Sequence, residues 1–374
     1  FPEYLYDPGL FFDEDGKVYV VHGQGTLYLT ELNSDVKSVK GKPVKIWQGG
    51  FKNAHELGGG FGMEGSHMYR INGKYYITCP AGGTGGWQIC LRSDNIYGPY
   101  EHKLIMNDWS SYPENGLHQG GMVQLKNGDW WFMIMQDRGP IGRVPCLVPV
   151  KWIDGWPMLG DEGKDLITYP KPATGKKSKI KSPATTDEFN ASQLGLQWQW
   201  NHNPDNSRWS LKERKGYMRL YASQASTLKN ARNTLTQRVQ GPSCEGSVEM
   251  EVTGLKDGNI AGFGIFEFPY AYVAIRQESG RRKIVMCNDG KDIETVEHFN
   301  GDKLWIRVRA TDKEFKALFY YSLDGVNYKR IGNELQMGLG LPWTANRFAL
   351  FNFNTTPQGN NGYADFNWFR FTNK

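Results

Sequence analysis

The 374 residues leave room for two domains of ordinary size, each able to bury a core. Aromatics make up 14% of the chain, and 45 Gly with 18 Pro interrupt it every few residues, a mixture that belongs to many short strands and turns. The formal net charge is only +5 and the basic residues are scattered apart from one local cluster, which excludes a nucleic-acid footprint; no apolar run is long enough for a membrane span.

The first segment runs from a strand at Tyr4 to Phe12 through the turn Asp13 to Gly16, then a strand from Lys17 to His22 and a third around Thr26 to Leu32. The second repeats it with Gly62 to Tyr69, the turn Asn72-Gly73, Lys74 to Thr78, and Trp87 to Arg92. The third does so again with Gly116 to Leu125, the turn Asn127-Gly128, Asp129 to Met135, and Leu147 to Lys151. The turn glycines Gly16, Gly73 and Gly128 stand 57 and 55 residues apart. Antiparallel strands recurring at such a period are the pattern of propeller blades. Gly62, Gly65, Gly116, Gly120 and Gly121 suit inner strands, which converge where side chains have little room.

About three blades fit before the composition changes, whereas closed propellers have about four to eight. Together with a start at Phe1 rather than Met, this leads to the expectation that an upstream segment or a second polypeptide completes the ring. The propeller part is expected over residues 1–167. Residues 168–186, rich in Pro, Lys, Ser and Thr, read as an extended linker. From 187 to 374 strands continue without the period, including Gly246 to Val252, Ala261 to Glu267, Lys303 to Arg309, Lys316 to Ser322, Phe348 to Phe353 and Ala364 to Phe371. Asp324-Gly325 marks a hairpin. The second domain is therefore expected to be a β-sandwich of jelly-roll type, and the whole chain all-β.

Five cysteines, Cys79, Cys90, Cys146, Cys244 and Cys287, show no metal-ligand spacing; Cys79 and Cys90 fall in neighbouring strands of one repeat and could pair, but read best as buried small hydrophobes. No basic-then-apolar leader opens the chain.

Three polar residues occupy matching strands of the repeat: Asp7, Glu64 and His118, with Arg143 in the third repeat's outgoing turn. Two carboxyls converging on a funnel suit glycoside hydrolysis, in which a protonated carboxyl assists the leaving group and a second carboxylate acts as base or nucleophile. Glu64 has the longer arm and is the acid candidate; Asp7, locked before Pro8, is placed to set local charge and keep Glu64 protonated. Taken singly, Asp7 could cap a turn, His118 could be a hydrogen-bonded core histidine, and Arg143 a surface residue. Asp13, Glu14 and Asp15 read as a solvated turn rather than a metal cluster, and His22, His55 and His67 as ordinary histidines.

Residues 4–160 resemble the later blades of glycoside hydrolase family 43. The resemblance rests on Tyr6-Asp-Pro-Gly-Leu-Phe-Phe-Asp-Glu-Asp-Gly-Lys-Val-Tyr19, Glu64-Gly-Ser-His-Met-Tyr69 with Asn72-Gly-Lys-Tyr-Tyr76, Leu117-His-Gln-Gly-Gly-Met-Val123, Gly142-Arg143, and Trp152-Ile-Asp-Gly-Trp-Pro157. It implies a five-bladed propeller that cleaves xylosides or arabinosides with inversion. It also implies Glu64 as general acid, Asp7 as the aspartate that modulates its pKa, Arg143 and His118 as substrate contacts, and His118 as the axial histidine that in some members holds Ca2+ or Na+ through water, with no cofactor required. The family's general base, an aspartate of the first blade, is matched by no residue here.

Residues 187–374 resemble the concanavalin-like C-terminal domain of the β-xylosidase-type branch, through Asp187-Glu-Phe-Asn190, Leu196 to Pro204, Trp209-Ser-Leu211, Gly216 to Leu220 and Tyr363-Ala-Asp-Phe366. In that branch an aromatic of the sandwich can shorten the substrate pocket, and Phe348 is the match, with a core aromatic as the other reading. The expectation is an exo-acting hydrolase, either β-xylosidase or α-L-arabinofuranosidase, on xylo- or arabino-oligosaccharides, secreted or periplasmic, without nucleic-acid or membrane partners. The alternative is a non-catalytic carbohydrate-binding protein derived from such an enzyme.

Overall fold

The turn glycines that set the repeat close hairpins. Asn72 and Gly73 both take positive φ, 50° and 77°, the geometry of a tight two-residue turn whose twist suits the strands it joins. Gly16 N donates to Asp13 O at 3.1 Å, and Gly128 N to Leu125 O at 2.9 Å. A computed structural model describes residues 4–48, 62–108, 115–164, 168–173, 175, 179, 181–338, 344–357 and 359–374. His55 and the start at Phe1 lie outside the described residues.

The repeat becomes three four-stranded antiparallel sheets in meander order. The first is β1 (Gly9–Phe12), β2 (Val18–Gln24), β3 (Thr26–Leu32) and β4 (Val44–Gln48). The second is β5 (His67–Ile71), β6 (Lys74–Ala81), β7 (Trp87–Ser93) and β8 (Glu101–Met106). The third is β9 (Leu117–Gln124), β10 (Trp130–Asp137), β11 (Arg143–Ile153) and β12 (Trp156–Leu159). Each blade thus gains a fourth, outermost strand that the repeat did not announce; β4, with a burial pattern mostly exposed or half-buried, carries little apolar signal.

Blades stack through apolar faces. Phe11, Val21, Leu27 and Leu29 of the first pack with Met68, Ile77, Ile89 and Leu91 of the second, and Tyr76, Cys90 and Ile105 of the second with Leu117, Phe132, Ile134 and Val148 of the third. The acidic turn is solvated at Glu14 and Asp15, as expected, but not at Asp13. Asp13 is almost buried on its side-chain atoms and accepts from Arg70 at 3.2 Å and from the Tyr75 hydroxyl at 2.8 Å, tying the first blade to the second. All five cysteines are free thiols; Cys79 and Cys90 are fully buried, and burial pushes the Cys79 thiol up to about 12.

The chain divides into two compact units, Phe1–Arg138 with Arg143–Ser178, and Gly139–Gly142 with Lys179–Lys374. The described residues from Thr168 to Thr186 form neither helix nor strand. In the second unit, two eight-stranded sheets make the sandwich. One is centred on Arg347–Asn354 and Asn259–Phe266, the other on Tyr363–Asn373, Ser243–Glu251 and Lys303–Thr311. Period-two alternation builds it: Leu304, Ile306, Val308 and Ala310 enter the core, while Lys303, Arg307 and Arg309 pair with Glu249 and Glu245 on the neighbouring strand. No helix among the described residues is long and apolar enough to cross a membrane.

Phe348 requires a correction. It is fully buried in this core, stacked on Phe263 at 5.7 Å with an interplanar angle of 15° and tilted against Phe369 at 5.9 Å. Gly246 makes room for it, since a Cβ there would lie 2.9 Å from the ring. Every residue of strand Arg347–Asn354 but the first is buried, Phe348 among them, so its side chain has no surface to offer a sugar.

Candidate active site

Glu64 lies just before β5, not within it, and the backbone around it explains its orientation. Gly62 bridges Ala81 and its carbonyl accepts from Gly25 N at 3.0 Å; Met63 N donates to Pro80 O at 2.6 Å. Met63 is buried in the interblade core with φ 59°, and Gly65 follows with φ 57°. Two left-handed residues flanking one carboxylate are a costly local geometry, of the kind that surrounding structure must hold in place and that gathers at functional sites. Asp7, exposed, has the same character at φ 44°, between Tyr6, whose carbonyl accepts from Gly23 N at 2.9 Å, and the start of β1. The two blades meet closely here: a Cβ on Gly9 would stand 1.9 Å from Ser66 O.

The Glu64 carboxyl is pushed above its ordinary range, chiefly by burial, and the charge of Asp7 adds to the rise. A hydrogen bond from Gln24 Nε2 to Glu64 Oε2, at 2.5 Å, and the charge of Arg143 oppose it. A half-buried carboxyl kept protonated beside a second acid is the environment a general acid needs.

The repeat register differs from expectation at the third blade. Asp7 stands nine residues before Gly16 and Glu64 nine before Gly73, but His118 stands ten before Gly128, and the equivalent place belongs to Gln119. A β-bulge accounts for this: Ile134 pairs with Gly120 and Met135 with His118, so Gln119 is skipped, at φ 56°. Its amide Nε2 lies 2.5 Å from where a Cβ on Gly65 would be, which sets Gln119 against the residue that follows Glu64. Gln119 N in turn donates to the buried Gln88 Oε1 at 2.7 Å. Counting back from the turn glycines would have found Gln119; Gln24 and Gln88 carry no such signal.

The bulge sends His118 inward. It is buried, with Nδ1 3.2 Å from Gly116 O and Nε2 3.5 Å from Asp137 Oδ2, and burial lowers its pKa. Arg143 is not in a loose turn but opens β11, paired with Asp137, and its Nε donates to Asp137 Oδ1 at 3.2 Å. The residues described around His118 offer Ca2+ or Na+ no set of direct protein oxygen ligands. Such ions take several oxygen ligands, whereas both imidazole nitrogens face protein atoms, the one carboxylate present is shared with a guanidinium, and that guanidinium's charge bears on His118 itself. No group of three His, Cys, Asp or Glu side chains converges for a metal among the described residues.

Propeller blades in which a second acid and an arginine bear electrostatically on a raised carboxyl, followed by an antiparallel sandwich, define a protein of two β domains. The chain belongs to glycosyl hydrolases family 43: that family's profile matches residues 3–157, and the profile described as beta xylosidase C-terminal concanavalin A-like domain matches residues 186–372. A beta-xylosidase of Formosa agariphila is 30% identical over 99% of this chain and 70% of its own length. A relative from Xylanibacter ruminicola is 33% identical over 89% of this chain, which spans 62% of that protein. A non-reducing end alpha-L-arabinofuranosidase of Bacteroides ovatus is 33% identical over 57% of this chain and 42% of its own length. Among solved structures, a bifunctional GH43-CE protein of Bacteroides eggerthii superposes with a TM-score of 0.88 at 37% identity, covering 100% of this chain and 49% of that one.

Proposed function

We propose that the protein carrying this chain is an inverting, exo-acting glycoside hydrolase that releases xylose or arabinose from plant cell-wall polysaccharides or oligosaccharides. The observation that carries the reading is Glu64, a carboxyl raised by burial and by Asp7 at a strained inner turn of the propeller. Relatives named beta-xylosidase and alpha-L-arabinofuranosidase support the pentose substrate. Action on the polysaccharide itself, which does not enter a cell, would place the protein outside the cytoplasm, secreted or periplasmic.

In this mechanism Glu64 gives its proton to the glycosidic oxygen as the bond to the anomeric carbon breaks. Water adds to the opposite face, losing its proton to a second carboxylate about 6.5–9.5 Å from the first. Asp7 keeps Glu64 protonated until then, and Gln24, bound to Oε2, leaves the proton to Oε1. Arg143 supplies hydrogen-bond donors to sugar hydroxyls. The base is an aspartate in the family pattern, and no residue of this chain fills it.

Glu64→Gln in the intact protein tests the reading. Hydrolysis of an aryl pentoside should fall by roughly 10²–10⁴-fold with sugar affinity retained; unchanged turnover would remove Glu64 from the acid role, and affinity without any wild-type turnover would favour a binding protein. Comparing aryl β-xyloside with aryl α-L-arabinofuranoside on the wild type decides the pentose.

A further inference from the structure

Asp137 ends β10 and is completely buried. Its place is heavily constrained. Its carbonyl accepts from Asn115 Nδ2 at 2.6 Å, and Asn115 O accepts from Gln136 Nε2 at 3.0 Å, so the backbone is braced from the segment preceding β9. Oδ1 accepts from Arg143 Nε at 3.2 Å across the β10–β11 ladder. Oδ2 faces His118 Nε2 at 3.5 Å and has no hydrogen-bond donor.

A buried carboxylate with one oxygen unsatisfied is expensive, because an ionised group withdrawn from water loses hydration that only close donors replace. A fold that merely needed to fill this space would use an apolar residue of the same volume. What the carboxylate does here is hold one nitrogen of a guanidinium that is itself only about two-thirds buried, at 35% side-chain exposure. The charge of that guanidinium reaches Glu64. An arginine bound through Nε has its fork oriented as a rigid plane, and planar recognition of paired oxygens depends on that orientation.

We infer that Asp137 is a positioning residue, which fixes the Arg143 guanidinium at the start of β11 so that it can grip the sugar in the productive register, with His118 walling the far side of the carboxylate. It touches no substrate and acts only through Arg143. The inference rests on the glycoside hydrolase reading of this site.

The test is a double-mutant cycle in the intact protein with Asp137→Asn, Arg143→Met and the pair, read in kcat and KM on the aryl pentoside that the wild type prefers. Each single variant should lower kcat/KM by about 10–100-fold, the span expected for a hydrogen bond to a charged group. Asp137→Asn should divide its loss between kcat and KM as Arg143→Met does, and the pair should be no worse than Arg143→Met alone. If the pair loses the product of the two single effects, or if Asp137→Asn lowers stability while kcat and KM keep their wild-type values, Asp137 is a structural residue and the inference fails. Should Asp137→Asn not fold, comparing Arg143→Met with the charge-balanced pair carries the same decision. A wild type without turnover would sink the hydrolase reading instead, and the cycle is then read in pentose binding by calorimetry with the same criterion of non-additivity.

Discussion

At the scale of single residues, the site is an electrostatic balance around one carboxyl. Burial and Asp7 raise Glu64, while Gln24 and Arg143 lower it. On the proposed reading Glu64 is a general acid, which works only while protonated, so the alkaline limb of the kcat profile should follow its pKa. Asp7→Asn removes a raising charge and should move that limb to lower pH. Gln24→Leu removes a lowering hydrogen bond and should move it to higher pH. Shifts of the same sign in both, measured with one aryl pentoside across pH 4–9, would break the assignment of Glu64 as the titrating group. The same imbalance has a signature in stability. Glu64 is raised in the folded protein above its unfolded value, so its contribution is present at low pH and is lost as pH rises through the folded pKa. Above the ordinary carboxyl range the folded state therefore bears a cost, either of holding the Glu64 proton or of ionising a desolvated group, which Glu64→Gln removes. That variant should have a higher Tm than wild type at pH 7, with the gap closing toward pH 4. A lower Tm at pH 7 would contradict the direction of the shift.

At the scale of elements, what sequence reveals is the strand and turn pattern, and what it hides is where that pattern is interrupted. Asp7 and Glu64 fall at the same count before their turn glycines because the blade hairpins preserve it, and the charge of Asp7 bears on Glu64. The third blade breaks the count with one extra residue, and a bulge leaves no mark in composition, so His118 takes the place that belongs to Gln119. Asp137 was invisible for another reason: an aspartate at the end of an aromatic strand reads as the start of a turn, and only the β10–β11 pairing reveals that it faces Arg143. Phe348 lies in a strand with every residue but its first buried, so no alternation marks which face an aromatic takes. Close approach between strands is itself testable. A Cβ on Gly9 would lie 1.9 Å from the Ser66 carbonyl, a backbone atom that cannot swing aside. Gly9→Ala should separate β1 from the segment leading to β5 and cost about 1–3 kcal/mol in urea unfolding. It should also reduce turnover, because that segment carries Glu64; wild-type stability and activity would mean the two strands are not so tightly joined.

At the scale of the whole molecule, the division into two β units was legible because the period of the turn glycines stops where the Pro, Lys and Ser-rich stretch begins. Several residues that carried the family resemblance in the second unit prove to be architectural. Asp187 accepts from Phe189 N and from Trp198 Nε1, both at 2.8 Å, and Asp365 is clamped by Arg214 and Arg219 at 3.0 and 2.8 Å. Sequence similarity there reports how the sandwich holds together. Each described core cluster, moreover, draws its residues from one unit alone: the interblade clusters from the first, and the large aromatic-rich core with Phe348 from the second. Cooperativity follows shared cores, so destabilising variants should sort into two classes. Phe348→Ala empties a fully buried ring position and should cost about 3–5 kcal/mol. In scanning calorimetry it should lower the transition of the sandwich and leave that of the blades in place, Gly9→Ala should do the reverse, and the double variant should show both shifts undiminished. Sugar affinity should survive Phe348→Ala, since the ring has no exposed surface. If that variant instead loses sugar binding while its fold stays intact, Phe348 reaches the substrate after all, and its place in the core would not be the whole of its role.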